Sequence, residues 1–111
     1  MIKIIIVRNK SEYLGYEISG HAGYDESGYD IICSAVSILA YTALNSMAVV
    51  AEIPDRDMTY AIDENIGDMS LLLNRTNMKA DIILKTFETG IKLLLEDYSQ
   101  YISLDYKEVW Q

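Results

Sequence analysis

Between Asp30 and Glu52 the chain carries no charged side chain. No other stretch limits the fold as much. Ile32, Val36, Leu39, Ala43, Met47 and Val50 recur there with the period of an α-helix. The small residues Ser34, Ala35, Ser37, Ala40, Ala43 and Ser46 let such a helix lie close to another backbone. The spacing predicts a helix from near Asp30 to about Ala51, with Pro54 as the stop. Asp30 has the short acidic side chain of an N-cap, which makes Cys33 the third helical residue. A helix so short of charge is buried on most sides. In a chain of 111 residues that calls for a sheet behind it and a subunit interface in front.

The flanking segments supply the sheet. Ile2 to Arg8 is apolar on both alternating sets, which suits a central strand covered on both sides. After a polar turn, Tyr13 to Gly20 buries Leu14, Tyr16 and Ile18 on one face, and the short link predicts an antiparallel hairpin. A second hairpin follows the helix, Asp57 to Asp63 and Asp68 to Asn74, turning at Glu64–Gly67. Ile83, Phe87, Ile91, Leu94 and Tyr98 then mark an amphipathic helix from about Met78 to Ser99, capped by Thr76 or Asn77. Ile102 to Val109 is the last strand. The expected fold class is a single α+β domain over residues 1–111, in the order β-β-α-β-β-α-β. Its sheet is mainly antiparallel. The two helices pack on opposite faces of it, or one packs at a dimer interface.

Charge narrows the partners. The net charge is −8, and no Lys or Arg occurs from Ser11 to Asp55. Such a chain is not built for a nucleic-acid backbone, which needs clustered cations. It suits a basic partner or a cationic substrate. No signal peptide is read at the N-terminus, and no unbroken apolar run approaches the roughly 20 residues of a membrane span. One cysteine excludes an internal disulfide. The expectation is a cytoplasmic protein with a reduced thiol, without membrane attachment, metal or cofactor.

That cysteine and the only histidine stand twelve positions apart, His21 at a strand end and Cys33 at a helix start. The loop from Ala22 to Tyr29 joins them, bracketed by Gly23 and Gly28. A cysteine attacks as thiolate, and a helix N-terminus, a cation or a histidine base favours that form. The local sequence offers Cys33 no Lys or Arg, so His21 is its candidate base. Spacing alone leaves other readings open. Cys33 as a small core residue, a redox thiol and a zinc site completed by carboxylates all fit it.

Gly20-His21-Ala22, followed by a glycine-containing loop and Gly28-Tyr29-Asp30-Ile31-Ile32-Cys33-Ser34-Ala35-Val36-Ser37, resembles the ribosomal-processing cysteine protease family, Prp. The family pattern is Gly-His-Ala, a short variable loop, then Gly-x-Asp-Ile-Val-Cys-Ala-Ala-Val-Ser. The chain departs from it with Ile32 for Val and Ser34 for Ala, and Ser34 adds a hydroxyl beside the nucleophile. The resemblance implies Cys33 as nucleophile and His21 as base. It also implies removal of an N-terminal extension from a large-subunit ribosomal protein, a homodimer, and a His–Cys loop that moves on substrate binding. Around that dyad, Gly20, Gly23 and Gly28 are backbone devices, and Tyr24 and Tyr29 are candidates for the substrate groove. Asp30 supports the helix start, and Ser37 lies one turn beyond Cys33 as local support. The alternative is a non-enzymatic acidic module that binds a basic ribosomal or assembly partner.

Overall fold

The computed structural model describes residues 1–20 and 29–110, with the side chain of Tyr29 left aside. In chain order the elements are β1 (Ile2–Asn9), β2 (Glu12–Ser19), α1 (Tyr29–Val49), β3 (Met58–Asp63), β4 (Asp68–Leu73), α2 (Met78–Tyr98) and β5 (Ile102–Glu108). The expected element order holds. The strands form one sheet in the order β3-β4-β2-β1-β5. Three pairings are antiparallel, and β1–β5 is parallel, with Ile2 opposite Ile102.

Register sorts the side chains. Ile4 opposes Ile18, Ile6 opposes Tyr16, and these continue to Met69 and Leu71 on β4. All six are buried and fill one face of the sheet. The Tyr16 hydroxyl donates to the Ala40 carbonyl of α1 at 2.8 Å, and its ring stacks on Phe87 of α2 at 4.9 Å. One strand side chain thus touches both helices, so both lie on the same face. They do not take opposite faces, and β1 is not covered on both sides. Its Ile5 faces the other surface half-buried, in line with Glu17 of β2 and Ser70 of β4, and Leu72 of β4 is 43% exposed.

Two helix boundaries carry physical detail. α2 is capped by Asn77, whose side-chain oxygen accepts from the Ala80 amide at 3.0 Å. α1 begins at Tyr29, one residue before Asp30. Asp30 therefore stands in the first turn rather than at the N-cap, and Cys33 is the fifth helical residue, not the third. An acidic group in the first turn still suits the positive end of the helix.

From Asp30 to Val49, α1 has a mean hydropathy of 1.6, so by length and composition it is apolar enough to cross a membrane. The sequence expectation missed this because it counted unbroken apolar runs. What holds the helix in this fold is its stripe Ile32, Val36, Ala40, Ala43 and Met47, which joins the sheet in one core. The stripe is only part of the helix, and Ile31, Ile38, Val49 and Val50 stay exposed.

Candidate active site

The candidate residues flank the end of β2 and the start of α1. Gly20 follows β2 with φ +75°, the left-handed region that favours glycine. A Cβ there would stand 2.2 Å from the Met1 carbonyl oxygen. Gly20 is thus fixed both by its dihedral and by close backbone approach. His21, Gly23, Tyr24 and Gly28 lie outside the described residues, as does the hinged loop expected there. Tyr29 is described as the first residue of α1 only.

Cys33 lies half-buried on α1, packed against the rim of the core. Asp30, one turn earlier, is exposed, and Ser34 beside the cysteine is exposed as well. Burial pushes the Cys33 thiol up, Asp30's negative charge pushes it further, and the positive amino terminus opposes them. On balance the thiol is pushed up from its ordinary range. The expected help from the helix start does not prevail, for two reasons. Cys33 sits a turn inside the helix, where the dipole has faded, and the nearest charge on that turn is negative. A base is what the chemistry then requires.

One turn onward, Ser37 shares the face of Cys33. Beside it a cavity of about 200 Å³ opens between α1 and the β3–β4 hairpin, lined among others by Ile18, Val36, Ser37, Tyr41, Glu64 and Asp68. Tyr41, Glu64 and Asp68 were not among the candidate residues read from sequence. Tyr41 had a signal, since it continues the helix face of Cys33 and Ser37. The two carboxylates had none, because only the folded hairpin carries them to the helix. No three His, Cys, Asp or Glu side chains converge as metal ligands among the described residues.

The sequence profile described as cysteine protease Prp matches residues 1–103. The chain belongs to the Prp family. The ribosomal processing cysteine protease Prp of Staphylococcus aureus is 29% identical over 105 residues, covering 93% of this chain and 95% of that one. The Prp of Bacillus subtilis is 35% identical over 52 residues, 46% of each chain. Among solved structures, a Streptococcus mutans protein superposes with TM-score 0.84 at 28% identity, covering 98% of this chain and 96% of that one. The S. aureus Prp in complex with a substrate peptide superposes with TM-score 0.83 at 26% identity, covering 96% and 100%. The same protein has also been seen with a covalently linked product peptide. As a Prp, the chain is a cysteine protease, and the non-enzymatic module falls away.

Proposed function

We propose that this Prp cuts an N-terminal extension from a large-subunit ribosomal protein, with Cys33 as nucleophile and His21 as base. One observation carries this. The family match over residues 1–103 spans both the chain's only cysteine and its only histidine. His21 takes the proton of the Cys33 thiol, and the sulfur attacks the scissile carbonyl. Backbone amides of the first turn of α1 serve as the oxyanion donors in this reading. The tetrahedral intermediate collapses, and the amine leaves with the proton from His21. Water, activated by the same imidazole, then attacks the thioester and frees both the new carboxylate and the thiol. The net charge of −8 suits a basic ribosomal substrate met in the cytoplasm.

The decisive experiment incubates the protein with a peptide spanning that extension and reads the products by mass spectrometry. Wild type gives two fragments. Cys33→Ala and His21→Ala, folded by circular dichroism, give none. Cutting by the Cys33→Ala variant would remove the assignment.

The same reading includes a homodimer formed through the helical layer. Ile38 of α1 is 64% exposed and Ile82 of α2 is 60% exposed. Between their helices runs an apolar groove of about 230 Å³, with Leu39 and Phe87 in its wall. Burying such a surface on a second copy accounts for the uncharged α1.

A further inference from the structure

The cavity beside Ser37 has a chemistry of its own. Ile18, Val36, Ala40 and Met69 are buried and form its inner wall. Glu64, exposed, and Asp68, half-buried, stand at its hairpin end. Glu64 accepts a long hydrogen bond of 3.4 Å from the Tyr41 hydroxyl, which ties its carboxylate to the α1 side of the opening. None of the ion pairs among the described residues uses Glu64 or Asp68.

We propose that this cavity is the subsite for a lysine or arginine side chain of the substrate. Its size selects a single side chain, since pockets that enclose whole small ligands run to roughly 300–1,000 Å³. Its wall selects a long apolar stem and its mouth a positive end. Lysine and arginine combine the two, laying the stem on apolar surface while the charge stays near water and carboxylate. An aromatic or aliphatic side chain would cover Glu64 and Asp68 without pairing them, which costs binding.

Placement along the substrate follows from geometry. Ser37 and Tyr41 lie about 6 and 12 Å along the helix from Cys33 at about 1.5 Å per residue. An extended peptide advances about 3.3 Å per residue. The cationic residue therefore sits two to four positions from the bond that is cut. This assignment rests on the processing function proposed above and names the substrate side chain that the site selects.

The test takes the extension peptide and places lysine, norleucine, phenylalanine or glutamate in turn at each of the four positions on either side of the cut. kcat/KM is measured for wild type and for the Glu64→Gln/Asp68→Asn double variant. The expected result is one position, two to four residues from the cut, where lysine exceeds norleucine about tenfold in wild type. In the double variant that ratio falls to about one, and in Asp68→Lys it turns in favour of glutamate. Salt at about 0.5 M lowers the ratio as well. The subsite is overturned if no such position prefers lysine, if phenylalanine is preferred there, or if the preference survives in the double variant. If wild type cuts none of the peptides, the processing function fails. The same peptides are then titrated onto the Cys33→Ala protein by fluorescence anisotropy, and the subsite stands or falls on the lysine-to-norleucine ratio of Kd.

Discussion

Burial and the Asp30 carboxylate both push the Cys33 thiol up from its ordinary range. A thiol so placed gains its reactivity from a partner, and the sequence has one histidine to serve. The pH profile of alkylation by iodoacetamide separates the two influences. In His21→Ala the midpoint is expected above the usual thiol range of about 8.5. In wild type it is expected lower, because an imidazolium stabilises the thiolate. Coincident profiles would show that His21 does not act on Cys33. Gly20 makes a second prediction. Alanine there meets both a φ of +75° and the Met1 carbonyl, so Gly20→Ala is expected to lower stability by at least about 1 kcal/mol in a urea titration. The proposed dyad could be nominated from sequence because each of its residues is unique in the chain. The Asp30 cap was not, since one residue's difference in where a helix begins leaves the local pattern almost unchanged.

At the scale of elements, a buried carboxylate ties two strands to α2. Glu88 accepts from the Tyr13 hydroxyl of β2 at 2.7 Å and from the Tyr106 hydroxyl of β5. Lys92, one turn along α2, stands 3.8 Å from it. Burial first, then Glu88, pushes Tyr13 up to about 12. In an unfolded chain tyrosine ionises near pH 10. Between those values the unfolded state holds fewer protons, so stability falls as pH rises. The urea midpoint of wild type is expected to drop between about pH 9.5 and 11 more steeply than that of Tyr13→Phe. At the acid end, Arg8 holds the Glu108 carboxylate below its usual range through a 2.6 Å hydrogen bond. That contribution is present above the unfolded carboxylate's pKa and is lost as pH falls through the lower folded one. Most elements were legible from period and turn residues, the β3–β4 hairpin and α2 with its cap most clearly. Which face each helix covers was not, because it depends on Tyr16 reaching Ala40 and Phe87 together.

The whole molecule leaves part of its apolar surface uncovered on the helical layer. Sedimentation at micromolar concentration is expected to show a dimer, and Ile38→Glu with Ile82→Glu to return it to monomer. A wild-type monomer would rule out that interface. The molecule's acidic balance was plain in the sequence, whereas the carboxylates at the cavity beside Ser37 became visible only when the hairpin folded onto α1. The parallel pairing of β1 with β5 was equally hidden, since nothing local reports which distant strand a strand will join. That pairing has a consequence for how the protein is born. The partner that completes β1 on one side is Ile102 to Glu108, so its ladder stays open until synthesis has passed about a hundred residues beyond β1. Until then Ile2, Ile4 and Ile6 line an unclosed edge, the kind of surface on which nascent chains aggregate. A ribosome-bound chain stalled before Ile102 is therefore expected to remain protease-sensitive. Release of β5 should make it resistant, a late closure consistent with contacts of such long sequence separation.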